Sequence, residues 1–293
     1  MNLLITGAWS DAKCHINEIE LSGHTVVFMQ QEKESLPCAY EWVEGVICNG
    51  LFLHHPISLF TNLCYVQLTS VGYDRVPMDE VERRHIEIHN ARGVYSIPMA
   101  EFALAGVLDL YKDMACFRQR QNKHQWVKNR NVRELAGSKV VIVGCGSVGT
   151  ECAKRFKAFC CQVIGIDVTV RNDSNYDAMK ELKELQAEAE KADIMVLTLP
   201  LTGGTKGLID ERILCSFKGI LVNIARGGVV DQSALEVWKG AAVLDVFENE
   251  PLEEGSPLWD KEETIVTPHN SFVGNGNAER LRKLILMNLQ STC

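Results

Sequence analysis

Lys139-Val140-Val141-Ile142-Val143-Gly144-Cys145-Gly146-Ser147-Val148-Gly149 is the stretch on which the reading of this chain turns. An apolar run ends at a G-x-G-x-x-G, after which Val148, Cys152, Phe156 and Phe159 recur at helical spacing. Each glycine has a task in that order of elements. The first permits a tight turn, the second lets backbone approach a pyrophosphate and the third lets helix pack on strand, while the helix N-terminus attracts negative charge. The next strand pattern, Gln162 to Ile166, runs into Asp167, eighteen residues after Gly149. A carboxylate there can accept hydrogen bonds from a ribose 2′-hydroxyl and repels a 2′-phosphate, so NAD is expected over NADP, with Arg171 softening the preference.

Outward from this loop the same grammar repeats. Strand patterns at Asn2–Thr6, Thr25–Met29, Gly45–Cys48 and Tyr65–Leu68 precede it, and Asp193–Leu199, Gly219–Ile224 and Ala241–Val246 follow, alternating with helical patterns. Such alternation implies parallel sheets. Ser10 is expected to cap a helix carrying Ile16 and Ile19 and ended by Gly23, and Asp231 to cap the helix through Leu235. Ser96-Ile97-Pro98 opens a long helical pattern to about Arg120 that would join two domains. The polar segment Gln121 to Arg133, with only Trp126, Val127 and Val132 to bury, suits an arm better than a core element.

The bulk numbers exclude several classes. The 293 residues, 46% hydrophobic and 23% charged, suit two cores of ordinary domain size. A net charge of -8 without a basic run leaves no footprint for nucleic acid or an anionic membrane surface. No long apolar run and no basic leader is present, so a cytoplasmic protein is expected, and the eleven cysteines, without a C-x-x-C pair, read as reduced thiols and not a metal site. Cys145, inside the glycine loop, is the thiol whose exposure would matter.

Three residues near strand ends in the second half carry reaction chemistry: Arg226, Glu250 and His269. A hydride arriving at the carbonyl carbon of a 2-oxo acid leaves negative charge growing on oxygen, which calls for a proton donor with a pKa near neutrality. His269 meets that need, with Glu250 as the carboxylate favouring its imidazolium. Arg226 can hold the substrate carboxylate and polarise the carbonyl, its planar fork matching carboxylate geometry.

With these motifs quoted, the chain resembles the D-isomer-specific 2-hydroxyacid dehydrogenases. The likeness is carried by the glycine loop and by Leu199-Pro200-Leu201-Thr202, Asn223-Ile224-Ala225-Arg226-Gly227-Gly228-Val229-Val230-Asp231, Leu244-Asp245-Val246-Phe247 and Thr267-Pro268-His269, with Met99-Ala100-Glu101 and Ser70-Val71-Gly72-Tyr73-Asp74 before them. It implies two doubly wound α/β domains: a flavodoxin-like substrate domain, residues 1–97 plus 271–293, and a Rossmann NAD-binding domain, residues 98–270. It also implies a C-terminal helix over Asn277 to Gln290 and a homodimer to which the 121–133 arm contributes.

By the same resemblance Arg226 binds substrate, Glu250 and His269 form the acid–base pair, and Val71 and Gly72 meet the substrate carboxylate. Ser147 and Val148 lie on the pyrophosphate; Leu199, Pro200 and Thr205 border the adenosine; Ile224 and Ala225 line the cofactor site with Gly144, Gly146, Gly149 and Asp167; and Asp245 holds the nicotinamide carboxamide. The implied reaction is hydride transfer between NAD(H) and a small 2-hydroxy or 2-oxo acid. The alternative is an NAD(H)-sensing or corepressor-like protein on the same fold with little turnover; the trio Arg226, Glu250 and His269 favours the enzyme.

The chain departs from the family pattern after His269, where Asn270-Ser271-Phe272 replaces isoleucine and small residues, and it is a few residues short between Arg226 and Asp245. The pocket for the substrate's side chain is expected around Asn49-Gly50-Leu51-Phe52 and Tyr73. No arginine or lysine is read there to meet a phosphate, and Leu51 and Phe52 can equally be core.

Overall fold

The computed structural model describes residues 1–291; Thr292 and Cys293, the end of the expected 271–293 segment, lie outside the described residues. Contacts divide the chain into two compact units, Met1–Val94 together with the segment from Gly274 on, and Tyr95–Val273.

The first unit is built on β1 (Asn2–Thr6), α1 (Ile16–Leu21), β2 (Thr25–Met29), β3 (Gly45–Cys48), β4 (Tyr65–Leu68), α2 (Met78–Arg83) and β5 (Glu87–His89). The strands form one parallel sheet in the order β2-β1-β3-β4-β5, with Leu3 beside Gly45 and Gly45 beside Tyr65. Buried Val, Ile and Leu on both faces of β1, β3 and β4 explain their unbroken apolar patterns. The connection from β1 leads to β2 on one side and that from β3 to β4 on the other, so the topological switch lies between β1 and β3.

The second unit runs through α3 (Ser96–Lys112), α4 (Met114–Asn122), β6 (Lys139–Val143), α5 (Ser147–Ala158), β7 (Gln162–Asp167), β8 (Ala178–Glu181), α6 (Leu185–Ala189), β9 (Ile194–Leu197), α7 (Glu211–Ser216), β10 (Ile220–Asn223), α8 (Gln232–Val237), β11 (Ala241–Leu244) and β12 (Thr264–Val266). Its seven strands are parallel, ordered β12-β11-β10-β9-β6-β7-β8, the doubly wound arrangement with its switch between β6 and β9. Helix α3 packs on α5 and reaches β11 through Gly106, where a Cβ would stand 2.7 Å from Val243 Cγ1. The closing helix α9 (Asn277–Ser291) belongs to the first unit, buries Leu281, Ile285 and Leu289, and ties its Asn288 amide to Gln67 at 2.7 Å.

Two parallel-sheet α/β bodies are thus present, as the alternation implied. Several local expectations are corrected. The long helix is interrupted at Asp113, whose left-handed backbone (φ 50°) divides α3 from α4, and Ser96 is the first helical residue and not a side-chain cap. Ser10 caps nothing: a short 3₁₀ turn at Ala12–Cys14 intervenes before α1, which begins after His15. Phe159 falls past the end of α5 and is 41% exposed, so the buried stripe is Gly149, Cys152, Ala153 and Phe156. Gly23 (φ 93°) ends the first helical segment and Asp231 caps α8 by accepting from the Ala234 N–H, both as read. Among the described residues no helix is long and apolar enough to cross a membrane, and no His, Cys, Asp and Glu cluster could hold a metal.

Candidate active site

The glycine loop at the β6–α5 junction shows why each glycine is required. Gly144 has φ 95°, a left-handed backbone, and a Cβ there would lie 2.7 Å from the Leu199 nitrogen, so the 199–200 turn closes directly over it. A Cβ on Gly149 would sit 2.2 Å from the Gly144 carbonyl oxygen, whereas one on Gly146 would meet nothing within 4 Å. Two glycines therefore permit internal packing, and the third leaves backbone bare toward open space. Ser147 and Val148 open α5 at its N-terminus, where unpaired N–H groups attract a phosphate.

Asp167 closes β7, and its carboxylate accepts the Cys145 N–H at 2.6 Å and the Thr169 N–H at 3.3 Å. It thereby fixes the glycine loop besides presenting acceptor capacity beside it. Arg171 donates to the Cys145 carbonyl and to Asp173, which holds its guanidinium back against the chain. The Cys145 thiol is buried and pushed up to about 11 by that burial, so it is a packing group and not a reactive one. Pro200 and Thr205 belong to one turn, with the Thr205 hydroxyl donating to the Pro200 carbonyl at 2.6 Å. These features fit a bound dinucleotide: a bare glycine, a helix N-terminus and a carboxylate converge at the sheet's switch point.

The candidate reactive groups stand on the loops after β10, β11 and β12. Asn223, buried at the end of β10, accepts the Ala225 N–H at 3.1 Å and donates to the Arg226 carbonyl at 3.2 Å, shaping the turn through Ile224 and Ala225. The Arg226 side chain donates to the Ala225 carbonyl at 2.7 Å. Immediately after it, a Cβ on Gly227 would stand 1.8 Å from the Phe247 carbonyl carbon, so the arginine loop abuts the Phe247–Glu248 backbone. Phe247 donates its N–H to one oxygen of Glu250 at 3.0 Å, and the other oxygen lies 2.8 Å from His269 Nδ1.

His269 and Glu250 are therefore brought together, and Arg226 is joined to them through one continuous backbone contact. With Nδ1–H donated to the carboxylate, Nε2 is left to carry the exchangeable proton. His269 is 40% exposed at its side chain, accessible to a small reactant, and its own backbone is left-handed at φ 50°. Asp245 has 0% exposure, and its carboxylate accepts the Thr267 hydroxyl at 2.6 Å, the Asn270 N–H at 2.8 Å and the Ser271 N–H at 2.9 Å. The bonds it makes here hold the histidine loop.

Sequence reasoning missed two features. Phe272 meets the His269 ring edge-to-face at 5.8 Å and Tyr95 likewise at 6.0 Å, so the unusual segment supplies an aromatic wall for the imidazole. In the first unit, Val71 donates no side-chain chemistry, but its carbonyl accepts from Asn90 at 2.7 Å, and the Gly72 carbonyl takes a long 3.5 Å contact from the Ser70 hydroxyl. Leu51 is core, at 0% exposure, and Phe52 packs edge-to-face on Phe60. The expectation of no basic group at this loop is also corrected: Arg75 Cδ lies 3.7 Å from where a Gly50 Cβ would be.

Comparison with known proteins identifies the family. A family model described as D-isomer specific 2-hydroxyacid dehydrogenase, NAD binding domain, matches residues 104–271. The chain is 31% identical to (S)-sulfolactate dehydrogenase of Chromohalobacter salexigens over 243 residues, covering 80% of this chain and 79% of that protein. It is 32% identical to glyoxylate reductase of Thermofilum pendens over 241 residues, covering 78% and 71%. A solved D-isomer specific 2-hydroxyacid dehydrogenase family protein from Aeromonas salmonicida is 26% identical, with a TM-score of 0.86 over 98% of this chain and 93% of the other. The chain belongs to the D-isomer specific 2-hydroxyacid dehydrogenase family and is an NAD(P)-dependent oxidoreductase of small 2-hydroxy and 2-oxo acids.

Proposed function

We propose that the protein is a cytoplasmic 2-oxo acid reductase that uses NADH and works as a homodimer, with His269 as proton donor, Glu250 as its orienting carboxylate and Arg226 as the substrate clamp. The observation that carries this reading is the 2.8 Å contact between His269 Nδ1 and Glu250, with Nε2 left for exchange. Bound NADH supplies the hydride. The chain's part is to hold the 2-oxo acid and to deliver a proton to the carbonyl oxygen as negative charge develops there.

In this reading Arg226 grips the substrate carboxylate while its positive charge polarises the adjacent carbonyl, and the Val71 and Gly72 backbone receives the same carboxylate. Gly144, Gly146, Ser147, Val148 and Gly149 take the pyrophosphate, Leu199, Pro200 and Thr205 border the adenosine, Ile224 and Ala225 line the cofactor site, and Asp245 attends the nicotinamide. Residues 1–97 with 271–293 serve the substrate and residues 98–270 the dinucleotide.

The preference for NADH rests on the carboxylate of Asp167 at the end of β7 and on the engagement of Arg171 by the Cys145 carbonyl and Asp173. Glyoxylate, a 2-oxo acid, and sulfolactate, a 2-hydroxy acid, are named for the relatives and support a short substrate of this class. For the dimer, support comes from the arm between α4 and β6, where Trp126 is 100% exposed with Val127 and Val132 also outward. The ten cysteines among the described residues are free, which suits a reducing compartment.

The test is loss of reduced-nicotinamide absorbance with glyoxylate, hydroxypyruvate, pyruvate and longer branched 2-oxo acids, with NADH and NADPH in parallel. Turnover of a short 2-oxo acid with NADH ahead of NADPH is expected. Saturable NADH binding without turnover of any 2-oxo acid would overturn the reading.

A further inference from the structure

Cys145, between the first two glycines of the loop, is held at both of its main-chain polar groups by residues at the end of β7 and just beyond it. Its N–H donates to the Asp167 carboxylate at 2.6 Å, and its carbonyl accepts from Nη2 of Arg171. A carboxylate and a guanidinium therefore stand beside one residue of the glycine loop. Asp167 is committed twice, since its other oxygen takes the Thr169 N–H at 3.3 Å. Arg171 is held through one atom only. The same Nη2 reaches Asp173 Oδ2 at 3.4 Å, while Nε and Nη1 make no hydrogen bond among the described residues.

Asp173 is the fixed member of that pair. Its Oδ1 accepts the Asn175 N–H at 3.0 Å and the Asn175 side-chain amide at 2.7 Å, and its carbonyl accepts the Tyr176 N–H at 3.0 Å. The Asn175 N–H holds its carboxyl below the usual carboxylate range, so it is charged at neutral pH. The turn itself is tied to β7. Tyr176 is buried with the Cys145 thiol against Gly165, where a Cβ would stand 2.6 Å from that sulfur, and the Asp177 carboxylate takes the Val163 N–H at 2.8 Å. The Asp173 side chain is 15% exposed and that of Arg171 42%, so an anchored acid sets where a half-exposed guanidinium rests. Lys157, the other cation on this turn, is already engaged by Asp177 at 2.9 Å. A 2′-phosphate would arrive beside Asp167, and an arginine nearby is the group that would receive it.

We propose that Asp173 is a positioning residue for coenzyme choice: it keeps Arg171 on the Cys145 carbonyl and so withholds from NADPH the guanidinium that would pair with its 2′-phosphate. Discrimination then has two parts, repulsion by Asp167 and a withheld cation, and the second can be released without touching the first. This rests on the reading of the glycine loop and Asp167 as a site preferring NADH, and every residue involved belongs to the second unit.

The experiment titrates the full-length protein with NADH and with NADPH by calorimetry, in wild type, D173N, R171M and the double variant, so no turnover is needed. D173N keeps an amide oxygen for the Asn175 N–H but loses the charge facing Arg171. D173S, whose hydroxyl can accept the same N–H, is the second variant should the amide disturb the turn. The affinity for NADPH relative to NADH should rise about fivefold in D173N, the scale of a partly exposed ion pair, with NADH affinity itself within about twofold of wild type. With Arg171 already replaced, D173N should leave the ratio unchanged. A ratio within about twofold of wild type in both D173N and D173S would overturn the proposal. An equal rise with and without Arg171 would also overturn it, because the acid would then act by its charge alone and not through the arginine. Wild-type preference for NADPH would overturn the reading of an NADH site, and the D173N ratio would still decide for or against the role of Asp173.

Discussion

The main-chain N–H of His269 donates to the carbonyl of Asp245 at 2.8 Å, and the Asp245 carboxylate then gathers Thr267, Asn270 and Ser271 around the same histidine. One buried residue just past the end of β11 therefore fixes both backbone and flanks of the proposed proton donor. D245N must turn an amide N–H toward an N–H or hydroxyl that now donates, leaving a buried group unsatisfied. A loss of about 2 kcal/mol in stability is expected, together with a fall in kcat. Chemical denaturation and steady-state kinetics of the variant check both; wild-type stability would show that the loop does not depend on this carboxylate.

Glu250 links the Phe247 N–H to His269, so E250Q keeps one acceptor oxygen but cannot serve both donors equally well. A drop in kcat of about 10- to 100-fold is expected, smaller than that for removing the histidine. R226A should act more on kcat/KM, by about 10³-fold, because carboxylate grip and carbonyl polarisation are lost together. Kinetics of the two variants side by side test the division of labour.

The glycine loop separates binding from folding. G146A adds a methyl where the chain has no atom within 4 Å, so its melting temperature should stay near wild type while NADH affinity falls about tenfold or more. In G149A the methyl would press the Gly144 carbonyl at 2.2 Å, so stability should fall by about 1–3 kcal/mol as well. Thermal melts and fluorescence titration with NADH distinguish the two.

Asp167 is expected to discriminate between the coenzymes. D167N removes the charge that would oppose a 2′-phosphate, and Arg171 is close enough to the loop to turn toward one. The NADPH-to-NADH ratio of kcat/KM should rise about tenfold or more. An unchanged ratio would assign Asp167 to the support of the Cys145 N–H alone.

Much of this was legible from residue pattern. Central strands buried on both faces, such as Val140–Val143 and Val46–Cys48, read clearly because nothing polar interrupts them. Three of the four edge strands did not: Glu87–His89, Ala178–Glu181 and Thr264–Val266 are short and half-exposed, so tertiary pairing defines them, whereas the fourth, Thr25–Met29, carries an apolar run and was read. Asp113 gave no warning of its break, since left-handed backbone at a non-glycine residue is set by its surroundings. The Glu250–His269 pairing was foreseen from chemistry, whereas the Phe272 wall and the Arg75 stem against Gly50 needed coordinates. Each depends on where a loop returns, which spacing does not encode.

The central claim is that His269 supplies the proton in 2-oxo acid reduction. H269A, assayed with the best 2-oxo acid of the panel and with NADH affinity measured alongside, tests it most directly. A fall in kcat of about 10²- to 10⁴-fold with NADH affinity nearly unaltered is predicted. Turnover equal to wild type would contradict the account.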